Sequence, residues 1–163
     1  MPGQGGVMIV VLGGGGYVGQ AICQQLQQRG LEFQSWSRRQ CDYSRAEILS
    51  QALRSSGAAF LINAAGFTGR PNVDACELAR AECLAGNAVL PGVIRQVCES
   101  LQLPWGHVSS GCIYTGAGPG QHGFTEQDAA NFSFRQNNCS FYSGCKALGE
   151  EILAGAERCY VWR

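Results

Sequence analysis

A parallel sheet wound on both sides by helices, the α/β class, is what this chain predicts, on three observations. Apolar runs alternate with amphipathic stretches along all 163 residues, a pattern that buries a parallel sheet between helices. The first apolar run, Val7-Met8-Ile9-Val10-Val11-Leu12, is continuous, as expected of a strand covered on both faces. It feeds directly into Gly13-Gly14-Gly15-Gly16-Tyr17-Val18-Gly19, a turn built mostly of glycine.

The elements follow in order. The first strand spans 7–12, and the helix after it spans 17–29, with Ala21, Ile22 and Leu26 spaced to face a sheet and Gly30 as its stop. Further strands are expected at 32–37, briefly near 40–41, at 59–63, at 105–110 and from Cys159 onward. Helices are expected at 44–55, as a long pair within 73–102 that Pro91 breaks or kinks, and at 142–154. Thr115 to Gly123 reads as a glycine-rich loop running into an irregular segment up to Ser140. There is no internal repeat and no linker, so residues 1–163 read as one domain. Cys159-Tyr160-Val161-Trp162-Arg163 looks like a strand that has only begun. The expectation is a truncated chain whose C-terminal, substrate-binding part is missing. Such a chain would hold a ligand of the first part without appreciable turnover, and its uncovered edge leaves self-association, including a homodimer, open.

Twelve acidic and twelve basic side chains give a formal net charge of zero. Arg38-Arg39 is the longest basic run, so nothing points to nucleic acid. No apolar stretch reaches membrane-spanning length and no signal peptide is evident, so a cytoplasmic protein with no membrane partner is expected. Nine cysteines form no C-x-x-C pair. Cys23, Cys76, Cys83 and Cys98 fall in helical stretches where a small apolar residue would serve, so reduced thiols are expected. His107 and His122 have no ligand spacing to a cysteine, and no metal site is expected.

Gly13, Gly16 and Gly19 fit G-x-x-G-x-x-G, a spacing variant of the dinucleotide fingerprint. Glycine permits the tight turn and lets bare backbone approach a pyrophosphate, which the amides opening the helix at Tyr17 and Val18 then hold. The fold expected is therefore a Rossmann-type doubly wound parallel sheet with helices on both faces. Eighteen residues past Gly19, where an NAD site places a carboxylate, the chain has Ser37-Arg38-Arg39. Guanidinium groups match a 2′-phosphate in charge and fork geometry, so NADP is favoured over NAD. Asp42 is placed to accept from an adenine amino group, or else simply forms a turn. Ala64, Ala65 and Gly66 in Asn63-Ala64-Ala65-Gly66 leave room at the carboxyl edge of a strand, where cofactors lie in such sheets.

The chain's only lysine, Lys146, lies four residues after Tyr142. On a helix the two share a face. A cation beside the phenol is expected to lower its pKa from about 10 and ready it for proton transfer.

Gly13 to Gly19, Asn63-Ala64-Ala65-Gly66, Ser109-Ser110 after a strand, and Tyr142…Lys146 occur in the order seen in the extended short-chain dehydrogenase/reductase superfamily, which this chain resembles. Within it, Asn63-Ala64-Ala65-Gly66-Phe67-Thr68 and Val73-Asp74-Ala75-Cys76-Glu77 resemble the dTDP-4-dehydrorhamnose reductase family. Thr68-Gly69-Arg70-Pro71-Asn72-Val73-Asp74, Gly111-Cys112-Ile113 and Phe141-Tyr142-Ser143 are similar to the reductase part of plant nucleotide-rhamnose synthases.

The resemblance implies a catalytic triad of Ser110, Tyr142 and Lys146, with Tyr142 and Lys146 also touching NADPH. It implies Asn87 as an architectural residue near the cofactor. The reaction implied is NADPH-dependent reduction of a nucleotide-linked 4-keto-6-deoxy sugar. Ser109 is the neighbouring alternative to Ser110, and Gly111 stands where that family usually has aspartate, which leaves the particular sugar open. An epimerase or dehydratase on the same fold, and a non-catalytic NADP-binding regulatory subunit, are the alternative readings.

Overall fold

The structure is a computed structural model describing residues 7–136 and 138–163. Five strands form one sheet in the order β2-β1-β3-β4-β5. They are β1 (Ile9–Leu12), β2 (Phe33–Trp36), β3 (Phe60–Asn63), β4 (Trp105–Val108) and β5 (Cys159–Trp162). β1 is central and parallel to both neighbours, with Ile9 opposite Phe33 on one side and Phe60 on the other. β3 and β4 are also parallel. The strand order reverses direction at β1/β3, the switch point of an open doubly wound sheet. Val10, Val11 and Leu12 are all fully buried. Successive side chains point to opposite faces, so both faces of β1 are covered, as the continuous apolar run requires.

The helices are α1 (Tyr17–Gln28), α2 (Ala46–Ser56), α3 (Arg80–Leu84), α4 (Leu90–Leu101) and α5 (Phe141–Leu153). α1 packs Leu26, with Ile22 and Cys23, against Val11 and Ile62. Ala21, expected on that face, is exposed, and Cys23 takes the inward place. Gly30 adopts φ +65°, and the amides of Gly30 and Leu31 bond back to Gln27 and Leu26, closing the helix as its glycine predicts.

The strand expected near 40–41 is absent. Residues 37–45 form a chain of turns, with Gln40 and Cys41 amides bonding Ser37 and the Arg45 amide bonding Asp42. The Ser37 amide and hydroxyl both donate to Gln40 Oε1. Short polar side chains satisfy the backbone locally here and outcompete a ladder beside the edge strand β2.

The chain divides into two compact units. The first comprises the residues up to Ala65, Val93–Val108 and Gly155–Tyr160. The second comprises Gly66–Gly92, Ser109–Ala154 and Val161–Arg163. In the second, a 3₁₀ turn (Val73–Glu77) precedes α3, and a π turn (Ala85–Val89) separates α3 from α4. The break therefore falls just before Pro91, which sits in the first turn of α4 where its missing amide costs least. Cys76, Cys83 and Cys145 are fully buried and pack with Tyr142, Phe67, Val73 and Phe141. Burial pushes the Cys76 and Cys145 thiols up to about 12, so they act as small apolar groups. All nine cysteines are free.

Candidate active site

In the first unit, the glycine turn after β1 has the shape a phosphate-binding turn needs. Gly13 sits at φ +75°, and a Cβ there would lie 2.6 Å from the Ala65 backbone. Its carbonyl accepts from the Gly16 amide at 3.0 Å. A side chain on Gly19 would strike the Gly13 carbonyl oxygen, so this glycine lets α1 approach the turn. Gly15 is exposed with nothing within 4 Å of a Cβ position, and no side chain caps α1 at Gly16. Tyr17 is 94% exposed and Val18 is exposed, so these positions offer backbone amides at a helix N-terminus.

At the carboxyl end of β3, fully buried Asn63 accepts from the Ala65 amide at 3.1 Å, and its Nδ2 lies 2.9 Å from His107 Nδ1. This pair locks the Ala64-Ala65 turn. Beyond β2, Ser37, Arg38 and Arg39 are exposed, and the Arg38 guanidinium lies 5.9 Å from the Tyr43 ring centroid. Asp42 accepts from the Ser44 hydroxyl at 2.5 Å, which holds its carboxyl below the usual range. That bond is the turn-forming alternative of the two sequence readings.

In the second unit, Ser140 caps α5 by accepting from the Ser143 amide at 3.1 Å, and Glu77 accepts from the Phe141 amide at 2.7 Å. These contacts set the start of the helix carrying Tyr142 and Lys146, which are 7% and 5% exposed. Ser110 opens the turn Gly111–Ile113, where its Oγ accepts from the Cys112 amide at 3.2 Å and its side chain acts to lower the Tyr142 phenol's pKa. Ser109, the alternative, is instead buried and donates a short hydrogen bond to Glu150.

The expectation of a Tyr142 phenol lowered below its ordinary pKa is corrected. Burial pushes the phenol up, outweighing the opposing effect of Ser110. Burial also pulls the Lys146 ammonium down to about 8, against the pull of Cys83, Glu150 and Cys112. Sharing a helix face brings the groups together, but desolvation beside a cluster of thiols decides their protonation.

Asn87, in the π turn, accepts from the Phe67 amide at 3.1 Å and donates to the Phe67 carbonyl at 2.7 Å. These two bonds reach across 20 residues, and Nδ2 also donates locally to Cys83 Sγ at 3.4 Å. A Cβ on Gly66 would lie 2.9 Å from Asn87 Oδ1 and 3.5 Å from Lys146 Nζ, so Gly66 leaves space beside the ammonium. A side chain on Gly149 would strike the Asn87 carbonyl oxygen, and this glycine lets α5 close on the π turn. An open cavity of about 460 Å³ lies beside Gly111, lined also by Tyr114, Phe124, Thr125, Glu126, Trp162 and Arg163. Sequence reasoning missed Asn63 with His107, Gly149, and Glu150 with Arg163. The signal available for Glu150 is its place one turn beyond Lys146.

The parallel order, the glycine turn at its switch point and the helix carrying Tyr142 and Lys146 define a Rossmann-type α/β protein. Residues 7–163 match the RmlD substrate binding domain, and the chain belongs to that family. It is 33% identical over 148 residues to the Arabidopsis thaliana trifunctional UDP-glucose 4,6-dehydratase/UDP-4-keto-6-deoxy-D-glucose 3,5-epimerase/UDP-4-keto-L-rhamnose-reductase, covering 88% of this chain and 21% of that protein. It is 32% identical over 155 residues to the Arabidopsis thaliana bifunctional dTDP-4-dehydrorhamnose 3,5-epimerase/dTDP-4-dehydrorhamnose reductase, covering 91% of this chain and 48% of that one.

Among solved structures, the UDP-rhamnose synthase of Acanthamoeba polyphaga mimivirus superposes with a TM-score of 0.83 at 20% identity, over 98% of this chain and 56% of that one. The dTDP-4-dehydrorhamnose reductase of Bacillus anthracis, in complex with NADP, gives 0.75 at 13% identity, over 98% and 53%. The chain thus spans about half the length of these structures and of the bifunctional relative, and about a fifth of the trifunctional one. Among the described residues, no helix is long and apolar enough to cross a membrane.

Proposed function

We propose that this chain is the catalytic, dinucleotide-binding part of an NADPH-dependent reductase acting on a nucleotide-linked 4-keto-6-deoxy sugar. The observation that carries it is the buried Tyr142 with Lys146, also buried, one turn further along α5, beside which the Ser110 side chain acts on the phenol. The names of the two Arabidopsis relatives support the substrate class, each ending in a rhamnose-pathway reductase activity.

The chain's residues fit such a cofactor. The backbone at Gly13, Gly16, Tyr17, Val18 and Gly19 suits a pyrophosphate, because side chains on Gly13 and Gly19 would fill the cradle. Arg38 and Arg39 are exposed cations matched to a 2′-phosphate, supporting NADPH over NADH, while Ser37 spends its hydroxyl on Gln40. Ala64, Ala65 and Gly66 present little beyond backbone. Asp42 is placed to accept from the adenine amino group, because its bond to Ser44 occupies only Oδ1. When bound, NADPH supplies a hydride for the C4 carbonyl carbon.

The protein's share is proton and charge management at the C4 oxygen. Tyr142 donates its phenolic proton there as negative charge builds, and Ser110 donates a second hydrogen bond to the same oxygen. Burial keeps the phenol protonated at neutral pH, the form a reductase must start from. The Lys146 ammonium favours the phenolate left behind. Nine free thiols support a reducing, cytoplasmic setting.

The test is consumption of NADPH by the full-length gene product with UDP- and dTDP-linked 4-keto-6-deoxy sugars, followed by fluorescence. One 6-deoxyhexose formed per NADPH is expected. A protein that binds NADPH yet reduces neither substrate overturns the reading.

A further inference from the structure

Glu150 lies one helical turn beyond Lys146 on α5, and the proton-transfer scheme gives it no task. Its carboxylate is nonetheless held on two sides. Oε1 accepts the short hydrogen bond from Ser109 Oγ. Arg163 Nε donates to both oxygens at 3.1 Å, and Arg163 Nη2 donates to Oε2 at 2.6 Å. Arg163 is itself fixed, with Nη1 donating to the Glu126 carbonyl at 2.8 Å and its guanidinium 5.5 Å from the Tyr114 ring centroid.

The Glu150 and Arg163 side chains are only 13% and 24% exposed, respectively. The superficially similar pair Arg135–Glu151 is 73% and 36% exposed. A forked, partly buried pair has a set geometry, whereas an exposed one is screened and mobile. An i,i+4 carboxylate then acts on the ammonium from a fixed place.

We propose that Glu150, anchored by Ser109 and Arg163, is a positioning residue that keeps Lys146 in its charged form, with Arg163 setting how much of that carboxylate's field Lys146 feels. This rests on the reading of Lys146 as a residue of the reaction. Burial works against the charge, drawing Lys146 down to about 8. The titratable groups acting on it are Cys83 from α3, Cys112 from the turn after Ser110, and Glu150 from α5 itself, with Tyr142 on the same helix face.

In the full-length gene product, ¹³C-lysine labelling with the Lys146 ε-carbon resonance assigned by its loss in Lys146→Arg gives a titration that reads this site, without substrate or cofactor. Glu150→Gln should lower the titration midpoint by about half a pH unit or more, the size expected for one charge a helical turn away. Arg163→Met should raise it, because Glu150 is then no longer neutralised. A general loosening of the fold moves both variants upward, so the opposite signs separate charge coupling from damage. Midpoints that stay put, or that move the same way in both variants, overturn the proposal. Should Glu150→Gln fail to fold, Arg163→Met with its fold checked by circular dichroism decides alone, and an unchanged midpoint overturns it. An inactive protein with the expected opposite shifts would sink the proposed reaction and leave this coupling standing.

Discussion

The glycine turn after β1 and the buried face of α5 are built for chemistry by opposite means. At the turn, what matters is what is missing. Gly13 and Gly19 carry no side chain because one would strike the Ala65 backbone or the Gly13 carbonyl, and Gly15 leaves open space. Such a surface offers amides and no titratable group. On α5 everything depends on side chains taken out of water. Tyr142 and Lys146 are buried beside thiols, and their protonation is displaced from ordinary values by that burial. A backbone site tolerates pH and solvent but no added atom, whereas a side-chain site depends on every neighbour that sets its charge. The two should therefore fail differently under substitution.

The sharpest break is Tyr142→Phe. In the full-length gene product, turnover should fall at least about 10²-fold, because the proton donor is gone while the ring still fills its place. NADPH affinity should barely move. Steady-state kinetics beside a cofactor titration checks this, and a variant retaining more than half the turnover would remove Tyr142 from the proton-transfer role.

Asn87→Ala probes the support of the α5 site instead of its chemistry. It abolishes two bonds to the Phe67 backbone and leaves a small void at a fully buried position. A loss of about 2–3 kcal/mol in unfolding free energy is expected, read as a lower urea midpoint. A change within error would show that Phe67 finds other partners.

The smallest effect belongs to the other region. NADPH should bind at least about ten-fold more tightly than NADH, and Arg38→Ala with Arg39→Ala should narrow that gap. Both side chains are exposed, so the urea midpoint should not shift. Equal affinities in the unsubstituted protein would remove the arginines from cofactor choice.

The regularities that were legible in the sequence are local ones. A continuous apolar run marked β1 within two residues, the glycines marked the turn and the end of α1, and Pro91 marked the break before α4. The helical period placed Tyr142 and Lys146 on one face. The short strand near 40–41 failed because apolarity over two residues cannot outvote Ser37 and Gln40 bonding each other. Ala21 fell outside the inward face because helical spacing defines a stripe and not its edges.

The chain by itself therefore determined the layers, the order of strands and helices, and which residue types were available for the candidate site, since these follow from hydrophobic period and backbone freedom. Tertiary structure alone decided the protonation of that site and its supports. That Tyr142 is pushed up and not down depends on Cys76 and Cys83, more than 50 residues away in sequence, closing over it. That Asn87 holds Phe67, and that Ser109 and Arg163 converge on Glu150, depends on contacts between elements distant along the chain. Period and spacing are properties of neighbours in sequence, whereas desolvation and hydrogen-bond partnership belong to neighbours in space.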